Sequence, residues 1–418
     1  MLFRSGFVIV AISWVALSVT GALPYFLSGE IPHFVDAFFE SVNGFTTTGA
    51  TILTSIETMG RGMLFWRSFT QWIGGMGVLV FVMSIIPLAD NRSMHIMKAE
   101  LSGPVFGKLV PKLSDSAKIL YAIYITLTVS EIVLLVVAKM PLYDSVVHAF
   151  GTAGTGGFSI ANSSIAAYES LDIESIIAFF MILFGINYNL YYFILMGNIR
   201  SFFKSEELRC YLSIIVISVT LITINIVPLY KSAFEAVRYS SFHVASIIST
   251  TGYVTVDFDI WPQLSKTILM LLMFCGACAS STGGGIKVAR LVILFKMMRN
   301  EFRRMLHPRS VSVVRFEGKV VPDETLHSTA IFLMSYVAIA CATTLIISID
   351  GFSFETNFTA TIACLNNIGI GLDKVGAVGN YSGFSTTSKL ILCFNMLLGR
   401  LEIFPVLLTL APSVWRGK

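Results

Sequence analysis

Long apolar runs are the feature that most limits how this chain can fold. Seven of them approach or reach the roughly 20 residues that a helix needs to cross a hydrocarbon layer. An eighth run covers Leu390–Leu410. The seven runs are Gly6–Leu27, Met63–Leu88, Ile119–Ala138, Ile176–Leu195, Cys210–Val227, Ile268–Cys278 and Ile331–Ile349.

Composition supports the same conclusion. Only 13% of the residues are charged, about half the share that is usual in soluble domains. We therefore predict an all-α polytopic membrane protein. A cleaved signal peptide does not fit the N-terminus, because the first run is too long and lacks a small-residue cleavage site. The six cysteines lie almost entirely in apolar runs, so we predict that even Cys275-x-x-Cys278 is a packing feature rather than a redox or zinc site.

Four short islands of small, uncharged polar residues interrupt this apolar chain. The first is NGFTTTGATIL at Asn43–Leu53, and FGTAGTGGFSI, IISTTGYVTV and CLNNIGIGLD share its character. Alignment of their glycines pairs Gly49, Gly156, Gly252 and Gly369, which recur at intervals of about one hundred residues. One island alone could be a turn or a close contact between helices. Four islands at the same place between apolar runs predict a repeated unit.

Each unit is predicted as a long helix, a half-helix of about 10–14 residues, a polar turn and a second long helix; the half-helices are too short to span. Four such helix–pore-loop–helix repeats give eight spanning helices and four re-entrant half-helices around a pseudo-fourfold pore axis. The half-helices are predicted at Phe34–Asn43, Tyr143–Gly151, Phe234–Ile248 and Phe354–Leu365, and the units at 1–90, 117–200, 209–305 and 325–418.

Basic residues determine the predicted orientation. Most of the 29 lysines and arginines fall on the face that carries both termini, and acidic residues are more frequent on the face of the islands. The positive-inside rule therefore places the N- and C-termini in the cytoplasm. An anionic outer mouth would concentrate cations. Asp257 and Asp259 would contribute to it, unless they are ordinary solvated charges.

The islands have the composition of an ion-conducting loop. Non-helical backbone at membrane depth is tolerated only where it is buried in protein or lines water. Glycine permits conformations that turn carbonyl groups inward, and a ring of carbonyls can replace the hydration shell of a cation. The half-helices would add partial negative charge at their C-termini. We therefore predict a filter for a monovalent cation.

These motifs resemble one transporter family along nearly the whole chain. GFTTTGATIL, TAGTGGFS, STTGYVTVDFD, NNIGIGL, WRSFTQWIGGMG and STGGGIKVARL are similar to segments of the Trk/Ktr/HKT superfamily of potassium transporters, most of all to its bacterial TrkH branch. The resemblance implies a homodimer with one pore per subunit and K⁺ held by backbone carbonyls. The implied filter residues are Thr47, Thr48, Gly49, Gly154, Thr155, Gly156, Thr250, Thr251, Gly252, Asn367, Ile368 and Gly369.

Two details qualify the resemblance. Plant relatives that favour Na⁺ carry serine at the first filter glycine, so Gly49 indicates K⁺, whereas the divergent fourth island indicates a filter less strict than four identical channel loops. TrkH proteins usually have two further helices before the segment RSGFVIVAISWVALSVTGALPY. Because Met1 begins almost at that segment, we expect either a short natural form, as in the Ktr branch, or a chain that lacks its beginning.

A glycine-rich interruption at 276–286 breaks what would be one very long helix. Ser281 and Thr282 precede Gly283–Gly285 there, and such interruptions mark functional sites in transporters. P-loop spacing and a preceding strand are both missing, which argues against a phosphate cradle. The resemblance implies an intramembrane loop that blocks the pore beneath the filter until it moves. A glycine kink that serves only helix packing is the alternative.

Charged residues in or beside the spans are the remaining candidates. A charge such as Arg400 is costly within a span unless it faces the pore or a partner. The resemblance places Arg400 near the loop as part of the gate, and a structural pair with Glu402 or Glu131 is the alternative. Lys287 is predicted to anchor or hold the loop rather than bind the ion. The histidines near the half-helices are predicted to be structural rather than proton relays: His33, His148 and His243.

The sequence thus predicts potassium uptake across a bacterial cytoplasmic (inner) membrane, either channel-like or coupled to H⁺ or Na⁺. K⁺ is the bound ion, and no catalytic residue, organic cofactor or nucleic-acid partner is predicted. The chain has no nucleotide site of its own, so the resemblance implies a cytosolic TrkA- or KtrA-type ring that binds NAD(H) or ATP/ADP. It would dock on KMMRNEFRRMLHPRSVSVVRFEGK, for which anionic membrane lipid is an alternative partner. A non-conducting scaffold is the runner-up function.

Overall fold

The structure is a computed structural model that describes residues 2–77, 113–307 and 313–412. The end of the first predicted unit at 78–90, most of the basic segment Arg92–Lys118 and the C-terminal tail at 413–418 lie outside the described residues.

Helices make up almost all of the regular structure in these ranges, as predicted. In chain order they are α1 Leu2–Leu27, α2 Phe34–Phe45, α3 Arg61–Gly75, α4 Leu113–Val137, α5 Leu142–Gly154, α6 Leu171–Phe184, α7 Tyr188–Leu195, α8 Ile199–Lys204, α9 Glu206–Ile226, α10 Ala233–Ile248, α11 Gln263–Cys275, α12 Val288–Leu306, α13 Asp323–Ile347, α14 Phe354–Leu365, α15 Thr386–Arg400 and α16 Phe404–Leu410. Five single 3₁₀ turns lie at Ser164–Tyr168, Val227–Leu229, Phe258–Ile260, Ser348–Asp350 and Asp373–Val375. Two short strands, β1 Arg315–Phe316 and β2 Lys319–Val320, pair as an antiparallel hairpin.

Four short helices lie where the half-helices are predicted. α14 has the predicted bounds, and the ends of α2, α5 and α10 differ from the prediction by at most three residues. Serine caps begin two of them: the hydroxyl of Ser232 accepts from the N–H of Glu235, and that of Ser353 from the N–H of Thr356. The C-terminal half of each of the four is buried. A buried end is what brings the four islands into the interior of the protein.

The number of long spans is smaller than the eight predicted. Within the described ranges, four helical stretches are long and apolar enough to cross a membrane: Phe7–Leu27, Ala117–Val137, Glu206–Leu229 and Asp323–Asp350. The pair α6 and α7, which is bent by 92°, could be counted as a fifth. The four single spans belong to the first helix of each predicted unit, which is continuous.

The second helices fall short because they are interrupted. A break at Gly185–Asn187 separates α6 from α7, the glycine-rich segment separates α11 from α12, and Leu401–Ile403 separates α15 from α16. Of these three breaks, only the one in the third unit is predicted from the sequence. α3 ends at Gly75, close to the end of the described range.

Helix packing follows a closed cyclic order. Each short helix packs against the helices that precede and follow it in its own unit: α2 against α1 and α3, for example. It also packs against the second helix of another unit. These second contacts are α3 with α5, α6 with α10, α11 with α14, and α15 with α2. The last of them returns to the first unit, so the packing forms a circle rather than a row.

Candidate ion-conducting site

All four islands turn the backbone in the same way where a short helix ends. A residue with positive φ comes first, at Thr47 (56°), Thr155 (55°), Thr250 (63°) and Asn367 (54°). Two residues later stands a glycine with positive φ, at Gly49 (86°), Gly157 (71°), Gly252 (83°) and Gly369 (81°). Side chains other than glycine rarely adopt such angles. The later of these two positions is glycine at every island, whereas threonine or asparagine adopts the smaller positive φ of the earlier position.

The second island differs in register from the sequence alignment. Gly157, not Gly156, has the positive φ that matches Gly49, and Gly154 is the last residue of α5. Backbone hydrogen bonds give the same register, because the N–H of Gly156 bonds the carbonyl of Gly151 (2.8 Å) as the N–H of Thr48 bonds that of Asn43 (3.0 Å). The equivalent triplets are called the filter triplets below, after the role that the sequence predicts for the islands. They are Thr47–Thr48–Gly49, Thr155–Gly156–Gly157, Thr250–Thr251–Gly252 and Asn367–Ile368–Gly369.

The filter triplets contact one another as a closed ring. A Cβ atom added to Gly49 would lie 2.4 Å from the carbonyl oxygen of Gly156. The equivalent distances are 2.0 Å from Gly157 to the Thr251 oxygen, 2.3 Å from Gly252 to the Ile368 oxygen and 2.4 Å from Gly369 to the Thr48 oxygen. In every case the glycine of one triplet faces the middle carbonyl of the next, and the fourth triplet returns to the first.

A small cavity of about 70 Å³ lies at this ring, and all four glycines with positive φ line it. Arg67 and Tyr381 are among its other lining residues. The hydroxyl of Tyr381 donates to the carbonyl of Gly369 at 3.0 Å. The cavity therefore meets backbone from all four islands at one point.

Hydroxyl and amide side chains hold the triplets without bringing charge. The Thr46 and Thr48 hydroxyls lie 2.8 Å apart, and Ser249 and Thr251 repeat the pair at the same distance. The side-chain amide of Asn367 donates to the Thr48 hydroxyl at 3.0 Å. This last bond links the fourth island to the first. Asn367, which stands where the other islands have threonine, therefore connects two triplets.

Three buried polar residues that the sequence analysis did not select also support the islands. Gln71 donates from Nε2 to the carbonyl of Gly156 (2.7 Å) and accepts from the N–H of Phe158 (3.1 Å). Arg67 and Glu40 form an ion pair at 2.7 Å, with side chains that are 1% and 0% exposed. The i, i+4 spacing of Arg67 and Gln71 within an apolar run places both on one helix face, and that spacing could have identified them.

Arg67 and Glu40 connect two islands. The Glu40 carboxylate accepts from the Thr51 hydroxyl (3.1 Å) and from the N–H of Ile52 (3.2 Å), just after the first triplet. Arg67 donates to the carbonyl of Ser159 at 3.3 Å, after the second triplet. Breaking a buried pair leaves an uncompensated charge, so this pair fixes both segments.

Two histidines have the same structural role in different units. His148 Nδ1 bonds the carbonyl of Asp144 (2.8 Å), and His243 Nδ1 bonds that of Tyr239 (2.9 Å), each one turn back along its helix. Their Nε2 atoms reach the segment after the island, at the Ser159 hydroxyl (3.1 Å) and the Val256 carbonyl (3.2 Å). His33 lies at the N-cap of α2 without a side-chain capping bond.

The glycine-rich segment between α11 and α12 lies against the ends of the short helices. It covers residues 276–287, one residue more than predicted, because α12 begins at Val288. The N–H of Gly284 donates to the Thr250 hydroxyl at 2.7 Å. A Cβ on Gly284 would lie 2.2 Å from the Asn366 carbonyl oxygen. This segment, called the glycine loop below, therefore touches the third and fourth islands and has no room there for larger residues.

Arg400 lies beside the glycine loop. Its guanidinium donates to the carbonyl of Thr282 at 2.8 Å and to the carbonyls of Gly74 and Gly75. It also reaches the Thr47 hydroxyl at 3.5 Å. Glu402 forms its ion pair with Arg290, and both carboxylate oxygens of Glu131 are buried without a hydrogen-bond partner among the described residues. Arg400 thus joins α3, the glycine loop and a filter triplet.

Lys287 is buried at the end of the glycine loop and bonds its backbone. It is 2% exposed, has a φ of 75°, and donates from Nζ to the carbonyl of Gly283. Ser281 donates to the carbonyl of Cys278 at 2.6 Å within the same loop. Among the described residues, no group of three or more His, Cys, Asp or Glu side chains is placed to hold a metal ion.

Acidic side chains lie near the residues that line the small cavity. A Cβ on Gly376, a residue that lines the small cavity, would lie 2.1 Å from an Asp259 carboxylate oxygen. Burial, with Asp257 nearby, raises the pKa of Asp259 to about 6. Hydrogen bonds from the Ser353 and Thr356 hydroxyls, both at 2.6 Å, lower the pKa of Asp373. At neutral pH both carboxylates carry negative charge near Gly376: the Asp259 carboxylate lies there, and the N–H of Gly376 donates to the carbonyl of Asp373 at 3.0 Å.

Comparisons with known proteins identify a family and several relatives of this chain. The TrkH family, described as a cation transport protein, matches residues 1–416. The Trk system potassium uptake protein TrkH of Salmonella typhimurium is 35% identical over 99% of this chain and 86% of its own length. The Trk system potassium uptake protein TrkG of Escherichia coli is 34% identical with the same coverage.

A solved structure is also similar. The crystal structure of the potassium transporter TrkH from Vibrio parahaemolyticus superposes with a TM-score of 0.87 at 32% identity, over 99% of this chain and 86% of that one. These relatives are named as transporters rather than as enzymes, in agreement with the prediction that this protein is not an enzyme. The chain therefore belongs to the TrkH family of cation transport proteins.

Proposed function

We propose that this protein takes up K⁺ across the bacterial cytoplasmic membrane through a selectivity filter formed by the four filter triplets. The observation that carries the proposal is the closed ring, in which each glycine faces the middle carbonyl of the next triplet. The named relatives are potassium uptake proteins. Four helix–pore-loop–helix units around a pseudo-fourfold axis account for both the ring and the cyclic packing of the helices.

Backbone chemistry suits a weakly hydrated monovalent cation. Carbonyl dipoles replace the hydration shell of the ion, and the C-terminal ends of four short helices add partial negative charge. The hydroxyls and amides that bond within and between the triplets bring no charge of their own. An ion is therefore attracted without being trapped by a carboxylate, as conduction requires.

The glycine loop and Arg400 form the proposed gate. The loop lies against the third and fourth islands, on the helix side of the filter triplets, where it obstructs the path of an ion leaving the filter. Arg400 fixes the loop through Thr282 and places a positive charge beside it. A cation that passes the glycine loop meets the loop as a steric barrier and Arg400 as an electrostatic one. Displacement of the loop removes the steric barrier.

Three further parts of the proposal depend on the relatives and on charge. The termini face the cytoplasm, by the positive-inside rule. Two copies associate with one pore in each. A cytosolic ring of the TrkA or KtrA kind, which binds NAD(H) or ATP/ADP, regulates the gate from the basic cytoplasmic face. The membrane potential supplies about 2.3 kcal/mol per charge per 100 mV, which is enough to concentrate K⁺ without a second ion.

Ion flux through the purified full chain in lipid vesicles tests the function. We expect K⁺ flux down an imposed K⁺ gradient, with a smaller Na⁺ flux under a matched Na⁺ gradient and none in protein-free vesicles. Growth of K⁺-import-deficient bacteria at low K⁺ is the cellular counterpart. Correctly folded protein that passes no K⁺ and restores no growth would refute transport and favour a non-conducting scaffold.

A further inference from the structure

The hairpin of β1 and β2 has no part in the proposed conduction path. Its turn residues Glu317 and Gly318 have φ angles of 50° and 75°, which is typical of the tight two-residue turn that joins antiparallel strands. Arg315 pairs with Val320 and Phe316 with Lys319. The turn is exposed, but the hairpin is connected to the glycine loop in two ways. One is an apolar cluster, and the other runs through the N-terminus of α9.

The first contact is apolar. Ala279, in the first half of the glycine loop, is 2% exposed and belongs to a small core cluster with residues of the hairpin segment. Ala289 and Ile293 on the first turns of α12 complete the base of this cluster. The hairpin side of the cluster consists of Val314, Phe316 and Val321. A shift of the hairpin therefore changes the packing of the loop directly.

The second contact is a chain of hydrogen bonds through the N-terminus of α9. One carboxylate oxygen of Glu317 accepts from the Ser205 hydroxyl (2.8 Å) and from the N–H of Glu207 (3.0 Å). The side chain of Glu207 is 3% exposed, and one of its oxygens accepts from the N–H of Ala279 at 2.6 Å. Its other oxygen accepts from the Asn187 amide at 3.3 Å.

The glycine loop is thus held at both ends of its length. Its second half bonds the Thr250 hydroxyl through Gly284. Its first half is bonded to the Glu207 carboxylate and to the break between α6 and α7, where the backbone N–H of Cys278 donates to the carbonyl of Gly185 at 3.0 Å. A cavity of about 650 Å³ between the hairpin and the start of α9 is lined by Ser205, Glu207, Ala279, Phe316 and Glu317 among others. The hairpin has room to move into this space.

We propose that Glu317 and Glu207 are positioning residues through which the hairpin holds the glycine loop in its obstructing position. This inference rests on the proposed function, because it gives the loop the role of a gate. When the Glu317 carboxylate leaves Ser205 and Glu207, the loop loses its support at Ala279. The exposed hairpin then acts as a handle by which an event at the cytoplasmic face changes conduction.

The test compares K⁺ flux through the full chain in vesicles for the wild type, Glu317→Ala and Glu317→Gln. Hydrogen bonds to a charged group are strong ones, and coupling between sites is typically worth 5- to 150-fold. We expect Glu317→Ala to raise flux on the order of tenfold. Glu317→Gln keeps an acceptor oxygen and should stay near the wild type. Glu324→Ala removes an exposed carboxylate from the first turn of α13 and should change nothing.

Amide hydrogen exchange supplies a readout that does not depend on flux. Peptides that cover residues 276–287 should exchange faster in Glu317→Ala than in the wild type or Glu324→Ala, whereas peptides from α2 should not change. Glu207→Ala should have the same effect. If this substitution of a buried residue prevents folding, the test relies on Glu317→Ala alone. Equal exchange and equal flux in Glu317→Ala and the wild type would overturn the proposal.

Deletion of Gly283–Gly285 separates this proposal from the function on which it rests. In the chain that lacks Gly283–Gly285 we expect high flux. Adding Glu317→Ala should not raise it further, because the part of the glycine loop that obstructs the path is already missing. If the deletion raises flux but Glu317→Ala does not, only the role of the hairpin fails. If neither the intact nor the deleted chain conducts, the proposed function fails, and hydrogen exchange still decides whether the hairpin positions the loop.

Discussion

At the scale of single residues, the site depends on glycines whose Cβ position is already occupied. Gly49 combines a φ of 86° with a Cβ position 2.4 Å from the Gly156 carbonyl oxygen. Gly49→Ser should therefore displace that carbonyl as well as strain its own backbone, by about 1–2 kcal/mol for the left-handed conformation alone. We expect the preference for K⁺ over Na⁺ to fall by about tenfold, which corresponds to ~1.4 kcal/mol, in paired flux measurements.

Gly351→Ser is the matched control for this substitution. Gly351 has a similar φ of 76°, but no heavy atom lies within 4 Å of its Cβ position. It should carry the backbone strain without any loss of ion preference. An unchanged preference in folded Gly49→Ser would remove Gly49 from the filter.

The register of the second island shows what a single sequence could predict at this scale and what it could not. Small residues and glycines in GTAGTGGFSI located the turn correctly. Two adjacent glycines, however, left the match to Gly49 undecided, and alignment on the first of them selected Gly156. The backbone selects Gly157, because its N–H and that of Gly156 both bond the carbonyl of Gly151, as the corresponding pairs do at the ends of α10 and α14. Register here is set by hydrogen-bond geometry, which composition does not encode.

At the scale of elements, the first helices and the short helices were predictable and the second helices were not. The first helices are continuous apolar runs whose length can be read from the sequence. Among the short helices, α14 matches its predicted bounds residue for residue. The breaks at Gly185–Asn187 and Leu401–Ile403 lie inside long hydrophobic runs and contain no glycine cluster like that at residues 283–285. At Leu401–Ile403 the backbone N–H groups bond nearby carbonyls of α15, but the break at Gly185–Asn187 is satisfied in part by tertiary bonds, such as that from the N–H of Tyr188 to the Ser280 carbonyl at 3.2 Å. Such partners are distant in sequence.

Arg400 joins elements, so its effect belongs at this scale. It ends α15 and donates to carbonyls of α3 and the glycine loop. Arg400→Ala should release the loop and remove a positive charge from the path. Both changes favour a cation, and we expect K⁺ flux in vesicles to rise by about tenfold. Arg400→Lys keeps the charge but loses the planar fork of donors, and it should give an intermediate flux.

Arg238→Ala provides the comparison for this prediction. Arg238 pairs with Glu174 at 2.6 Å, a contact between α10 and α6 that involves neither the glycine loop nor Arg400. Its loss should lower thermal stability without raising flux. A flux in Arg400→Ala that equals or falls below that of the wild type, in protein that elutes and melts normally, would contradict a gating role.

At the scale of the whole molecule, the closed order of helix packing joins the four triplets to the residues that support them. The hundred-residue recurrence of the islands predicted a fourfold arrangement, but not which unit packs against which. Contacts from α15 to α2 and from Asn367 to Thr48 close the circle between chain ends that are far apart in sequence. The Glu40–Arg67 pair lies within the first unit, but Arg67 and Gln71 also bond the backbone of the second island, and that part of their role appears only once the ring is assembled.

The charge of the assembled mouth should make uptake depend on external pH. Asp259 has a pKa of about 6 because it is half-buried with Asp257 nearby. A raised pKa means that the carboxylate takes up a proton as pH falls through 6, so the mouth becomes less negative in acid. Two unit charges 10 Å apart in water interact by roughly 0.4 kcal/mol. We therefore expect flux at subsaturating K⁺ to fall by about twofold between pH 7 and pH 5.

Asp259→Asn and Asp373→Asn separate this effect from a general effect of acid. Asp259→Asn should give the lower flux at both pH values and so remove the pH dependence near 6. Asp373, whose pKa is lowered by the Ser353 and Thr356 hydroxyls, stays ionised throughout this range. Asp373→Asn should therefore reduce flux equally at pH 5 and pH 7 and leave the step near pH 6 in place. Persistence of that step in Asp259→Asn would assign it to a group other than Asp259, and its absence from the wild type would show that the carboxylate at Gly376 does not influence the ion.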